Sequence, residues 1–231
     1  MLRELGLIDL ENVAYTYSGG ELLSEMTLSI ASGAFYFLTG PSGSGKTTFL
    51  KMCYGALVPT AGNITIFGQD LRTMTRDDIA LTRRRIGVVH QDCQFLDHLN
   101  VVDNIALPLA AAGQDSLADG ANLKELLNWV GLGHRADALP PELSGGERQR
   151  VALARAVIMS PDIILADEPT GNVDWEMSQR LLQLLVELNR MGKTVVIASH
   201  DLSLIRAAKT EVQARILRIY NKRVQLAGAN L

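Results

Sequence analysis

Apolar and polar positions along this chain fall into blocks of different period. Leu7 to Tyr17 alternates loosely and carries Val and Tyr, the pattern of an early strand. Met26 to Ile30 predicts a second short strand, turned by Ser32-Gly33. Ala34 to Thr39 (AFYFLT) is instead an almost unbroken apolar run, as expected of a parallel strand covered on both faces. Thr48 to Tyr54 shifts to a helical period, and Ile64 to Phe67 and Ile86 to Val89 predict further strands. From about Asn100 the character changes. Val101 to Ala112, Leu123 to Val130 and Glu147 to Met159 are helical patterns joined by Gly- and Pro-containing turns. Strand character returns at Ile163 to Ala166 and Thr194 to Ala198, on either side of an amphipathic helix, Trp175 to Arg190. No repeat or low-complexity tract is visible. The pattern predicts one α/β domain over 1–231, with a core of 1–91 and 160–231 and a helical insert over 92–159.

Composition narrows the functional classes. Of the 231 residues, 47% are hydrophobic and 20% charged, enough for a sizeable core. A net charge of −3 lacks the basic excess of nucleic-acid binders, so no nucleic-acid partner is expected. Cys53 and Cys93 lie far apart without metal-ligand spacing and read as two reduced thiols. The longest apolar stretch of interest, Ile105 to Ala112, is too short to cross a bilayer and contains Pro108. Glu4, Asp9 and Glu11 stand where a signal peptide would be apolar, so the amino terminus reads as the start of the folded domain. Any membrane work is expected to pass through a partner.

Three motifs carry chemistry. Gly40-Pro41-Ser42-Gly43-Ser44-Gly45-Lys46-Thr47 follows a strand and opens a helix, the context a phosphate-binding loop requires. Its glycines let backbone N–H groups turn toward phosphate oxygens, and the helix adds its amino-terminal dipole. Lys46 can reach the β- and γ-phosphates, the Thr47 hydroxyl can ligate Mg²⁺, and Thr48 caps or packs nearby. The second motif is the apolar strand IILA ending in Asp167-Glu168. Carboxyl ends of parallel strands open onto the ligand crevice, so this pair should face the phosphates. Asp167 would hold Mg²⁺, directly or through water, and Glu168 would act on the attacking water as general base. In isolation, Asp-Glu before Pro169 would read as a solvated turn; the strand and the phosphate loop reverse that reading. The third is Leu143-Ser144-Gly145-Gly146-Glu147, followed by Arg148-Gln149-Arg150. Ser144 and Glu147 have the spacing of a helix capping box. Capping explains Ser and Glu but not the paired glycines, which leave the backbone open to an anion.

LSGGERQR, the phosphate loop and LADEPTGNVD together resemble the ATPase domain of ABC transporters, in the right order and over essentially the whole chain. The resemblance implies a phosphate-loop NTPase core with an antiparallel β amino-terminal portion and a helical signature subdomain. It implies ATP and Mg²⁺ as cofactors, with Tyr17 stacking on adenine and Tyr15 as a nearby alternative. Gln91 would sense Mg²⁺ and couple the core to the insert, Asp174 would belong to the loop after the acidic pair, and His200 would contact the γ-phosphate. It further implies a homodimer in which Ser144, Gly145, Gly146 and Glu147 of one copy close over ATP held by the other. By themselves Tyr17 could be a strand aromatic, His200 structural, and Arg83-Arg84-Arg85 a solvated basic face.

Within the family, RRRIGVVHQD, LDHL and VVDNIALPL are similar to the branch acting in bacterial cell division, and much of the pattern is shared with lipoprotein-release and macrolide-efflux ATPases. That branch implies a cytoplasmic subunit, peripheral on the inner face of the plasma membrane. A separate integral membrane subunit would dock in a groove near residues 91–113. A nucleotide-gated scaffold is the reading from another class. DNA-repair relatives separate the two motifs with a long coiled coil, and no heptad run occurs here. His90 stands where an aromatic is more usual and Val173 where leucine is; neither change removes a chemical group from the site.

Overall fold

A computed structural model describes residues 6–114, 120–171 and 173–227. Two sheets organise these residues. The first is antiparallel, ordered β2-β1-β4-β5, from β1 (Ile8–Tyr17), β2 (Gly20–Ile30), β4 (Ala61–Ile66) and β5 (Gln69–Asp70). The second has the order β10-β9-β3-β8-β7-β6, from β3 (Phe35–Thr39), β6 (Ile86–Val89), β7 (Ile163–Asp167), β8 (Thr194–Ala198), β9 (Ala214–Tyr220) and β10 (Arg223–Leu226). It is parallel except for the β9–β10 hairpin. The mixed architecture is the α/β class expected, with the antiparallel portion at the amino end.

The apolar strands owe their unbroken pattern to two cores. Along β3, Tyr36 and Leu38 face a core shared with the antiparallel sheet, whereas Phe35 and Phe37 face the opposite side. Ile163 and Leu165 against Ile164 and Ala166 in β7 repeat the alternation, as do Val196 and Ala198 against Val195 and Ile197 in β8. The first core also takes Phe49, Leu50 and Met52 from α1 (Lys46–Cys53). The second takes Leu181, Leu182 and Leu185 from α6 (Trp175–Arg190) and Leu204 and Ile205 from α7 (Leu202–Glu211). Full burial of each such side chain contributes about 1.5–3 kcal/mol.

Between β6 and β7 the chain is helical, with α3 (Val101–Ala111), α4 (Gly120–Trp129) and α5 (Gly145–Val157) around a third core of Val101, Ile105, Leu123, Leu127 and Val151. Asn104, fully buried on α3, fixes the entry to this portion. Its Oδ1 accepts from Leu96 N–H at 3.0 Å, and its Nδ2 donates to the carbonyls of Leu96, Leu99 and Asn100 at 2.8–3.1 Å.

Some elements exceed the sequence pattern. β2 begins at Gly20, well before Met26. The helix α2 (Arg76–Arg84) buries only Thr82 and so lacks an apolar stripe, although Thr75 and Asp78 form a complete capping box. The basic run at its carboxyl end is not a uniformly solvated face. Arg83 donates to the carbonyls of Tyr54 and Gly55, and Arg85 pairs with Asp162 at 2.7 Å and lies 3.7 Å over the Phe67 ring. Arg84 remains exposed. Both cysteines are free and buried. Among the described residues no helix is long and apolar enough to cross a membrane.

Candidate functional site

The carboxyl ends of β3, β8 and β7 line one edge of the sheet beside the amino terminus of α1. The turn between β3 and α1 requires left-handed backbone at Gly43 (φ 74°) and Gly45 (φ 103°), conformations that L side chains rarely adopt. Gly45 caps α1 without a side-chain bond, so the first N–H groups of the helix are left to the loop side. A cleft of about 750 Å³ opens here. It is lined by Pro41, Ser42, Gly43, Gly45, Lys46, Thr47 and Thr48 from the loop and helix, together with Gln91, Asp167, Glu168 and His200. Gly40 and Ser44 belong to the same loop without facing the cleft; the Gly40 carbonyl accepts from Lys46 Nζ at 3.0 Å, and the Ser44 hydroxyl is buried.

Charge is concentrated at one wall. Lys46, only 9% exposed, donates also to the Pro41 carbonyl at 3.3 Å and lies 3.4 Å from Glu168 Oε1. His200, largely exposed, places Nδ1 3.0 Å from the same carboxylate. Glu168 is therefore bracketed by an ammonium and an imidazole. Its backbone has φ 46°, a strained value for a non-glycine residue, held by its N–H on the Ala198 carbonyl and its own carbonyl accepting from Gly171 N–H. Asp167, one residue earlier, is buried. Burial pushes its carboxyl above the usual carboxylate range and the Glu168 charge adds to this, while a Thr47 hydroxyl bond and Lys46 oppose it. Its Oδ1 is buried without a hydrogen-bond partner.

The signature segment is built differently. Ser144 caps α5: its Oγ accepts from Glu147 N–H at 3.3 Å, and Glu147 Oε2 accepts from Ser144 N–H at 2.8 Å. Arg135 Nε adds a 2.9 Å ion pair to Glu147. Burial alone would raise the Glu147 pKa, but the Ser144 and Arg135 bonds outweigh it and bring the group to about 2. Ser144, Gly145, Gly146 and Glu147 do not line the phosphate cleft of their own chain. Neither does Asp174, which caps α6 by accepting from Met177 N–H at 2.8 Å. Tyr17 sits at the margin, about half exposed, with its hydroxyl 3.3 Å from Thr48 Oγ1 and its ring edge-on to Tyr15 at 4.8 Å. Gln91, which lines the cleft, links to the helical portion: its carbonyl accepts from the buried Gln149 of α5 at 3.5 Å.

Two cleft residues escaped sequence reasoning. Leu22 lies on the unforeseen first half of β2, and Gly171 follows the acidic pair without a chemical group to mark it. A second concavity of about 530 Å³ lies on another face, between α2, β6, α3 and α5. Its walls include Arg84, His90, Gln94, Pro108, Ala112 and Met159.

Known proteins match this arrangement. A profile of the ABC transporter family covers residues 23–171, more than half of the chain and all three motifs. The chain belongs to this family. As an ABC cassette it binds and hydrolyses ATP. Its curated relatives include the cell division ATP-binding protein FtsE of Bacillus subtilis, 40% identical over 209 residues (90% of this chain, 92% of that one). FtsE of Escherichia coli K12 is 42% identical over 200 residues, covering 86% and 90%. Among solved structures, the dimeric ATP-binding cassette MJ0796 in a post-hydrolysis state with ADP and Pi superposes with a TM-score of 0.83. It is 32% identical, with 97% of this cassette and 99% of that chain covered.

Proposed function

We propose that this cassette is the FtsE-type ATPase of a bacterial cell-division complex, a homodimer closed by Mg-ATP that drives an FtsX-like membrane subunit. The observation that carries the catalytic part is the wall formed by Thr47, Asp167, Lys46, Glu168 and His200 beside the phosphate loop. The naming of the Bacillus and Escherichia relatives supports the cell-division part, and the dimeric MJ0796 cassette supports the assembly.

Mg²⁺ fits the residues present. Asp167 offers a buried oxygen that no protein donor uses, and the Thr47 hydroxyl lies against the same carboxylate. Few protein ligands suffice for such a cation, because it completes its shell from water and substrate phosphates. Thr47, Asp167 and Gln91 would hold it, and when bound it would draw charge from the β- and γ-phosphate oxygens.

The chain's own groups account for the rest. The loop N–H groups and Lys46 bind the triphosphate, and Tyr17, or Tyr15 beside it, offers its face to adenine. Moving the Lys46 ammonium from Glu168 to the γ-phosphate frees that carboxylate to take a proton from the attacking water. His200 then meets the terminal phosphate. The partner's copy of the signature segment, with Ser144 exposed and Gly146 half-buried at a capped helix terminus, closes the site; Asp174 belongs to the same contact. Loss of the γ-phosphate removes the bridge. In this reading 1–91 and 160–231 hold nucleotide, 92–159 moves as the signature subdomain, and the membrane subunit docks in the concavity beside residues 91–113.

The test is genetic and enzymatic together. Cells depleted of the chain should filament, and restoring the chain, but not Glu168→Gln, should restore division; normal division without it would overturn the assignment. Rescue by Glu168→Gln would favour the nucleotide-gated scaffold.

A further inference from the structure

Gly146 is not open on all sides. A Cβ placed on it would lie 2.7 Å from Met177 Cγ, 2.9 Å from Cε and 3.1 Å from Sδ. The small residue therefore admits a methionine from α6 against the signature turn of the same chain. Arg150, one helical turn after Gly146, donates from its guanidinium to Met177 Sδ at 3.1 Å, while its Nε is buried without a partner. Sulfur is a weak acceptor, so the contact is steric first and polar second. Met177 is also fixed at the start of α6. Its N–H bonds to Asp174 Oδ1, and Ser178 bonds back to the Asp174 carbonyl through both its N–H and its hydroxyl. Upstream, Gly171 N–H bonds to the carbonyl of Glu168. Glu168 at the base of the chain's own cleft and Met177, wedged against the half-site the chain lends to its partner, thus lie close together in sequence.

We propose that Met177 is a positioning residue that sets the signature turn on the amino end of α6 and so couples the two ATP sites of the dimer. The proposal rests on the dimeric reading above. Packed groups in contact are energetically coupled, whereas the loop-to-α6 segment alone would leave the signature turn free to settle independently. The side chain touches no substrate. Its effect falls on the affinity of closure and on the cooperativity of turnover, not on nucleotide binding by an isolated chain.

The experiment measures ATP-driven dimerisation in the Glu168→Gln background by analytical ultracentrifugation, with ATP affinity of the monomer followed separately by fluorescent-nucleotide titration. Met177→Ala should weaken dimerisation about tenfold with monomer affinity unchanged, and in the chain with Glu168 intact it should bring the Hill coefficient of ATPase activity toward 1. Met177→Leu, which keeps the bulk, should stay within about twofold of the parent. Gly146→Ala should cost less in the Met177→Ala background than beside Met177, because the clash is then absent. Dimerisation and cooperativity unchanged in Met177→Ala, or strictly additive effects with Gly146→Ala, overturn the coupling. If Glu168→Gln itself does not dimerise with ATP, the dimeric reading fails first, and the inference with it. Should Met177→Ala not fold, Met177→Val makes the same comparison.

Discussion

The phosphate cleft and the signature turn are both glycine-containing helix amino termini, yet they satisfy their polar groups in opposite ways. At the cleft, α1 starts from a glycine with no capping side chain, Asp167 Oδ1 is buried without a donor, and Glu168 holds a left-handed backbone. At the signature turn, Ser144 and Glu147 bond each other reciprocally and Arg135 clamps the glutamate. The first region has bonding capacity that the protein itself leaves unfilled, and such groups cost about 1–3 kcal/mol each. The second is closed upon itself. In the proposed reading the difference teaches which region gains most from nucleotide: the cleft would be completed by it, whereas the signature turn is already formed and would offer a fixed surface.

The contrast can be broken most directly at Glu168. Glu168→Gln should slow turnover about 100-fold or more while ATP binding persists, since general-base catalysis contributes 10²–10⁴; turnover near normal in a coupled phosphate-release assay would remove the carboxylate from that role. Lys46→Ala comes next, with ATP affinity expected to fall about tenfold or more by titration calorimetry, as for loss of a buried charge-assisted contact. Unchanged affinity would count against the loop as the triphosphate cradle. Asp167→Asn should separate stability from function. Removing a charge that burial disfavours is expected to raise the melting temperature of the nucleotide-free chain, while Mg-dependent turnover is lost. Ser144→Ala should be milder on the fold, destabilising by about 1 kcal/mol through the lost cap in chemical denaturation.

The smallest effect concerns pH. Glu147 has a folded pKa of about 2, below its ordinary 4.5. Its bonds therefore stabilise the fold fully above the unfolded value and lose that contribution only as pH falls through the folded one. Arg135→Ala, which removes the ion pair, should shift the acid-unfolding midpoint followed by circular dichroism to higher pH. An unshifted midpoint would show that the backbone bonds of the capping box suffice.

How much of this was legible follows from what each residue has to bury. Strands β3, β7 and β8 could be read because both faces are covered, leaving no polar interruption. The helix α6 was read to its ends, Asp174 and the apolar stripe marking it. By contrast α2 buries one residue and shows almost no apolar face, and its Thr75–Asp78 box was the overlooked signal. The hairpin β9–β10 alternates through ARILRIY, a pattern interrupted by arginines that stay exposed. The glycine loop and Asp167-Glu168 announced themselves by spacing, and the cleft gathers them. The bracketing of Glu168 by Lys46 and His200, and the methionine lodged against Gly146, depend on approaches between distant segments that no local pattern encodes.

The left-handed backbone at Glu168 has an evolutionary corollary. Glycine would relieve that conformation, which costs a residue with a side chain about 1 kcal/mol or more. Selection for heat resistance alone, with activity ignored, should therefore enrich glycine at this position. A library of such survivors would be hardier proteins and idle motors.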